Sequence, residues 1–275
     1  MGSKAVYTAI GTNFVMVCAK SAAFFVTGSA SVLSEVVHSV ADLGNQCLLA
    51  VGIAYSERTP DASHPYGYAT ERYVWSLISG VGIFFLGCGV SVYHGLHGVF
   101  HPEPVEHMMV GLAVLGFGFF VEGYSLSVAL SECRLEARKQ QMGLREYLTS
   151  GMDPMNVSVL MEDSVAVLGV GVATSCLLLS RIEGLAFMDP IGSIVNGLFM
   201  GVVAVFLIQK NRELLVGQAV KEHRLARVIE LLEQCPVVMS VHDVKAVVMG
   251  PGNGRFKAEI NIDREATPLP TPPSP

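Results

Sequence analysis

Long apolar segments alternate with short polar ones along the first 209 residues. Each apolar segment has about 20 residues, the length of helix that crosses a hydrocarbon core of roughly 30 Å. Glycine and other small residues recur within them, as expected where membrane helices pack closely. The pattern predicts an all-α bundle of six transmembrane helices over residues 1–209, with spans at residues 5–26, 32–55, 74–99, 107–130, 157–180 and 187–208.

The pattern changes after this region. The stretch "KEHRLARVIELLEQCP" places its apolar residues on one side of a helix that Pro236 ends. Two stretches rich in β-branched residues, "VVMSVHDVKAVVMG" and "GRFKAEINID", flank a Gly-Pro-Gly-Asn-Gly turn and predict a hairpin. Residues 210–265 are therefore predicted to form a small α+β soluble domain, and the proline-rich residues 266–275 a disordered tail.

Composition and charge agree with a protein whose main partner is the lipid bilayer. The 275 residues are 51% hydrophobic and 15% charged, with a mean hydropathy of +0.48, whereas soluble domains are about a quarter charged. The net charge of −6 argues against a nucleic-acid partner, which favours a basic surface. Both termini are predicted to face the same compartment under the positive-inside rule, from the positions of Lys4, Arg58, Arg72, Arg134, Arg138, Lys139 and Arg145.

Ionisable residues interrupt the second predicted span. In "SEVVHSVADLGNQ", Glu35, His38 and Asp42 are three and then four residues apart, so they share one helix face. An imidazole and a carboxylate one turn apart can bind one divalent cation. Asp163 in the fifth span, beside Glu162, is placed to close such a site from a neighbouring helix, although His38 taken alone is equally typical of a hydrogen-bonded packing residue.

Other polar residues leave their roles open. Glu122 in the fourth span can carry protons, bind metal or hydrogen-bond a neighbouring hydroxyl, and Glu35 can face water near an entrance. The histidines around the connection between the third and fourth spans either collect metal or are surface residues: His94, His97, His101 and His107. No Ser-His-Asp set, HExxH, P-loop or GxGxxG motif occurs, so no catalytic residues and no enzyme activity are predicted.

Several motifs together resemble the cation diffusion facilitators, which exchange zinc or related ions for protons. They are "GSASVLSEVVHSVADLGNQ", "RTPDASHPYGY", "EDSVAVLG", "DPIGS" and "VHDVKAVVMG", in the family's order along nearly the whole chain. The segments "SGVGIFFLGCGVSVYHGLHGVFHPEPVE", "VEGYSL" and "DPMNVSVLMEDSVAVLGV" are similar to the branch of the mitochondrial zinc transporter 9.

The resemblance implies metal ligands, residue by residue. His38 and Asp42 match the pair in the family's second span, and Asp163 matches the last residue of the HxxxD pair in the fifth. The position four residues before Asp163 is Val159, which cannot bind a metal. The fourth ligand is then water, or another residue such as Glu122 or Glu162, or it is absent, and zinc is the expected ion ahead of manganese and cobalt.

The resemblance also implies features outside the spans. Asp61 and His64 match a loop where relatives bind a second ion, and the alternative is a polar turn around Pro65. The soluble domain of the family is ferredoxin-like and dimerises, and this chain retains its first helix and hairpin without the closing helix and strand.

The resulting hypothesis is a zinc/proton antiporter with alternating access that exports zinc from the compartment facing both termini. Zinc is the transported ion and protons are the counter-ion. A homodimer in a mitochondrial membrane is expected from the resemblance. The alternative is a membrane-embedded metal sensor or scaffold that binds ions without moving them.

Overall fold

The computed structural model describes residues 3–27, 30–101, 108–151, 153–180, 182, 185 and 187–263. The chain divides into two compact units, Met1–Arg212 and Glu213–Pro275. The predicted tail at residues 266–275 lies outside the described residues, as does His107.

Helices occupy all six predicted apolar segments. In chain order the helices are α1 Ser3–Thr27, α2 Ala30–Ser56, α3 Glu71–Gly82, α4 Val90–Phe100, α5 Met108–Lys139, α6 Leu144–Ser150, α7 Pro154–Leu179 and α8 Met188–Val216. A π-helical segment, Ile83–Gly89, joins α3 to α4 within the third apolar segment, and the short helix α6 lies between the fourth and fifth segments. The helix α5 continues about two turns beyond the predicted end of its span, and so does α8, because their polar ends are still good helix formers.

Five helical stretches in the described part of the chain are long and apolar enough to cross a membrane: Lys4–Val26, Glu71–Phe100, Met109–Lys139, Pro154–Leu179 and Met188–Val216. The helix α2 has 27 residues, but the side chains of its residues 30–35 and 37 lie outside the described part of the chain. The sixth span, at residues 32–55, therefore stays a prediction.

The helices approach each other closely where small residues meet. The pairs α1–α2, α5–α7, α2–α3 and α1–α5 make the main contacts. At Gly52 of α2, an added Cβ would lie 2.6 Å from the end of Met155 in α7 and 2.7 Å from Cβ of Trp75 in α3. A larger residue at Gly52 would push these helices apart, which explains the use of small residues in such contacts.

The π-helical segment was not predicted. The apolar pattern from 74 to 99 predicts one regular helix, whereas residues Ile83–Gly89 form a wider turn of seven residues. Glycine has a low helix propensity, so Gly87 and Gly89, with Gly82 just before them, make a departure from α geometry less costly. Such insertions occur frequently at functional sites.

A buried ion pair joins three helices at one end of the bundle. Arg72, at the start of α3, lies 3.3 Å from Asp153 and donates from Nε to the Ser56 hydroxyl at the end of α2, at 2.8 Å. Asp153 also caps α7 by accepting from the backbone N–H of Met155. Burial raises the pKa of Asp153, and the positive charge of Arg72 opposes this rise.

The short helix α6 is held at the same end by α8. Lys210 of α8 is 5% exposed and donates to the backbone carbonyl of Leu148 at 2.6 Å. A lysine near the end of a helix interacts favourably with its last carbonyl groups. The next residue, Asn211, donates to Ser76 of α3 at 3.0 Å. The sequence pattern did not predict α6, because its stability depends on this distant lysine.

The second unit contains the predicted helix and hairpin. The helix α9 spans Glu222–Glu233, and strands β1 Val238–Gly250 and β2 Asn253–Ile262 pair antiparallel. The connecting turn needs glycine, because Gly252 has φ +79°. Among the described residues the sheet has two strands, and the ferredoxin-like assignment stays a prediction.

We expect Arg72→Met to reduce the stability of the first unit by about 3–5 kcal/mol, because it leaves Asp153 as an unpaired buried charge. The change should appear as a lower unfolding midpoint of the purified protein in detergent. The double variant Arg72→Met/Asp153→Asn removes both charges and keeps a capping acceptor, and should recover most of the loss.

Lys139→Met is the matched control for this prediction. Lys139 pairs with Glu136 but is 45% exposed, so its loss should change stability little. Equal destabilisation by Lys139→Met and Arg72→Met would show that burial of the ion pair does not matter.

Candidate cation site

One face of α2 carries the polar residues of the candidate site. His38 and Asp42 are one turn apart, with 3.6 Å between His38 Nε2 and Asp42 Oδ2, and each side chain is about one third exposed. Asn45 and Gln46 follow one turn later and are both buried. The predicted proximity of the histidine and the first carboxylate is therefore present in the structure, and two carboxamides extend the same face.

The helix α7 presents two buried acidic residues, Glu162 and Asp163, each 7% exposed. The carboxylate of Glu162 is held from α2: Asn45 Nδ2 donates to its Oε1 and Gln46 Nε2 to its Oε2, each at 2.5 Å. The Ser125 side chain of α5 lies beside the Asp163 carboxylate. Asp163 Oδ2 has no hydrogen-bond partner in the described part of the protein.

Three carboxylates on two helices act on one another through space. The charge of Asp42 reaches both Glu162 and Asp163, which also act on each other. The two amides that hold Glu162 are neutral, so they fix its position and add no charge. Among the described residues, however, no three His, Cys, Asp or Glu side chains converge on a point where they could hold a metal ion.

Val159 is the position where the resemblance described above implies a ligand, and its environment is apolar. It is fully buried in the cluster that includes Ala129, Cys133 and Met155. Glu162, less than one turn later, is the α7 residue whose carboxylate meets α2. The structure thus brings His38, Asp42, Glu162 and Asp163 into one region and excludes Val159 from it.

The contacts seen among the described residues do not place the other predicted site residues in this region. Glu122 is half-buried on α5 and has a polar or electrostatic interaction of its own. The side chain of Glu35 lies outside the described part of α2. The rings of His97 and His101 stack with centroids 4.8 Å apart at the end of α4.

Asp61 and His64 form a compact, exposed turn. Asp61 Oδ1 accepts from both backbone N–H groups of Ser63 and His64, and its Oδ2 accepts from the Tyr68 hydroxyl at 2.7 Å. The hydroxyl of Ser63 also donates to Asp61, and the bonds from Ser63 and Tyr68 lower the pKa of that carboxyl well below its usual range. These contacts favour the polar turn over a metal site, because the lone pairs of Asp61 already organise the loop.

Sequence reasoning missed Asn45 and Gln46. Both carboxamides are buried at membrane depth, where polar groups are costly, and they lie three and four residues after Asp42. That spacing could have identified Asn45 and Gln46 as site residues, since it places them on the same helix face as Asp42. Their partner, Glu162, is 116 residues or more away in sequence and could not be assigned from spacing.

Apolar helices that cross a membrane several times place this chain among the multi-pass membrane proteins. Residues 6–216 match the model of the cation efflux transmembrane domain, and the chain belongs to this family. The resemblance inferred from the sequence motifs is thereby confirmed. The family consists of transporters, which agrees with the expectation that the chain is not an enzyme.

Two relatives illustrate the match. The chain is 44% identical to Metal tolerance protein C4 of Arabidopsis thaliana over 260 residues, which cover 94% of this chain and 57% of that protein. It is 44% identical over 260 residues to the mitochondrial proton-coupled zinc antiporter SLC30A9 of Homo sapiens, covering 94% of this chain and 46% of that protein. The chain therefore spans about half the length of the curated relatives it matches.

We expect Asp61→Ala and Asp61→Asn to leave the number of zinc ions bound per chain unchanged, because the carboxylate serves the turn. Asp61→Ala should speed amide hydrogen exchange at Ser63 and His64, whereas Asp61→Asn keeps an acceptor and should have a smaller effect. The lowered pKa keeps the wild-type turn intact down to about pH 4, so exchange can be measured above that pH. Loss of one bound zinc in both variants would instead identify a loop metal site.

Proposed function

We propose that this chain is a divalent cation transporter whose cargo is zinc. The observation that carries the proposal is the grouping of Asp42, Glu162 and Asp163, of which Glu162 and Asp163 are buried and Asp42 is about one third exposed. Three ionised carboxylates at membrane depth would repel one another, and a divalent cation bound among them relieves that repulsion. The printed name of the human relative, a zinc antiporter, supports zinc as that ion.

The proposed ligands are His38 and Asp42 from α2 and Asp163 from α7, with Glu162 in the place that Val159 leaves vacant. One imidazole and three carboxylates suit zinc, which accepts nitrogen and oxygen ligands. The additional oxygen ligands would also tolerate harder ions such as manganese. Because the side chains do not converge in the present conformation, ion binding is proposed to draw α2 and α7 together.

Transport is proposed to exchange zinc for protons by alternating access. A metal and a proton compete for the same lone pairs of an imidazole or a carboxylate, so occupation by one favours release of the other. In this proposal α2 is the sixth span, both termini face one compartment, and zinc leaves that compartment. The relatives named mitochondrial support a mitochondrial membrane, and the family resemblance supports a homodimer.

A membrane-embedded sensor is the second candidate. The structure favours it in one respect, since no three potential ligands converge among the described side chains and Val159 supplies none. A sensor binds the ion without moving it across the bilayer.

We expect purified chain in proteoliposomes to move zinc, measured with a zinc-sensitive dye inside the vesicles. Asp42→Asn and Asp163→Asn should each lower zinc affinity by roughly tenfold to a hundredfold or more, because a metal ligand contributes at least as much as the groups that support it. Glu162→Gln tests the position that replaces Val159 and should weaken binding by a comparable factor.

Asp243→Asn is the control for these variants, because Asp243 is 47% exposed in the second unit. It should leave binding and flux unchanged. Zinc binding without flux in the wild-type chain would favour the sensor, and unchanged affinity in Asp42→Asn and Asp163→Asn would refute the proposed site.

A further inference from the structure

A cavity of about 350 Å³ lies between α2, the π-helical segment and α8. Its lining includes Asp42 and Asn45 of α2, Gly82 and Gly87 on the opposite wall, and Met200 of α8. A water molecule needs on the order of 10–15 Å³ of cavity volume, so the cavity has room for a hydrated ion. Because Asp42 lines the cavity, the cavity lies directly beside the proposed cation site.

Asp42 and Asn45 are the polar side chains in a lining that is otherwise apolar. Asn45 is 8% exposed, and its amide nitrogen donates to Glu162. In this orientation the amide nitrogen of Asn45 faces Glu162, and its carbonyl oxygen takes no part in that hydrogen bond.

The carbonyl oxygen of Asn45 lies near Gly82, a glycine that lines the same cavity as Asn45. It is buried without a hydrogen-bond partner in the described part of the protein. A Cβ added at Gly82 would lie 3.8 Å from this oxygen. A buried oxygen with free lone pairs, on a residue that lines a cavity together with Asp42, is suited to a cation, because an unsatisfied buried acceptor is otherwise costly.

We propose that the carbonyl oxygen of Asn45 is a cation ligand beside Asp42, and that it determines which divalent ions the site accepts. This inference rests on the proposed function. Carbonyl and carboxylate oxygens suit harder ions such as manganese better than imidazole and thiolate do. Asn45 thus shifts the preference of the site toward such ions, while its amide nitrogen holds Glu162 in place.

Gln46 provides a matched control. It donates to the other oxygen of Glu162 in the same way, at the same distance, and it does not line the cavity. If Asn45 acted only by holding Glu162, Asn45→Leu and Gln46→Leu would have the same effect on every ion. If its oxygen is a ligand, only Asn45→Leu changes the preference between ions.

The test is calorimetric titration of the detergent-solubilised full chain with zinc and, separately, with manganese. We expect Asn45→Leu to lower the affinity for manganese relative to the affinity for zinc by roughly tenfold. This factor is the lower end of the effect of losing a group that supports a metal. Gln46→Leu should change both affinities by a similar factor and leave their ratio within about twofold. Equal ratios in Asn45→Leu and Gln46→Leu would overturn the inference.

Gly82→Val tests the same oxygen without removing either hydrogen bond to Glu162, in case Asn45→Leu does not fold. It adds carbon atoms in front of the Asn45 oxygen and should change the ion ratio in the same direction. Gly89→Val is its control, since Gly89 is exposed and does not line the cavity. An unchanged ratio in Gly82→Val overturns the inference, whereas a wild-type chain that binds neither ion refutes the proposed function itself.

Discussion

The placement of acidic side chains at membrane depth is the constraint on which the centre of this structure depends, because charges there interact far more strongly than in water. Glu162 and Asp163 are buried on α7, and Asp42 is about one third exposed on α2. The groups beside the two buried acids are neutral: two carboxamides donate to Glu162, and a serine lies beside Asp163. These neutral groups fix the acidic side chains and add no charge.

At the end of the bundle where Arg72 and Asp153 lie, charged groups have partners within the chain. Arg72 neutralises Asp153 where α2, α3 and α7 meet, and Lys210 satisfies the carbonyl at the end of α6. These charges are compensated within the chain and are therefore suited to holding helices together. The two regions therefore differ: paired charge joins the helix ends, whereas acidic side chains gather where α2 and α7 meet.

The helices, the hairpin and the proximity of His38 and Asp42 could be predicted, because they depend on local sequence pattern. Segment length and hydropathy predicted helices in all six apolar segments, and the spacing of His38 and Asp42 predicted their contact. The hairpin was predicted from its turn residues and β-branched flanks. The pairing of Asn45 and Gln46 with Glu162, and that of Arg72 with Asp153, could not be predicted, because each joins residues distant in sequence. The helix α6 depends on a distant residue for the same reason, since Lys210 of α8 donates to its Leu148 carbonyl.

The π-helical segment Ile83–Gly89 also changes the angular position of everything that follows it. A regular α-helix turns by about 100° per residue, and a π turn accommodates one extra residue in the same advance. A helical wheel drawn continuously from Glu71 to Phe100 would therefore assign the residues of α4 to wrong sides by about one such step. The assignment of residues to helix faces therefore has to start again after Gly89. A relative with one residue fewer in this segment would present the same residues of α4 to the same neighbours with a regular α-helix.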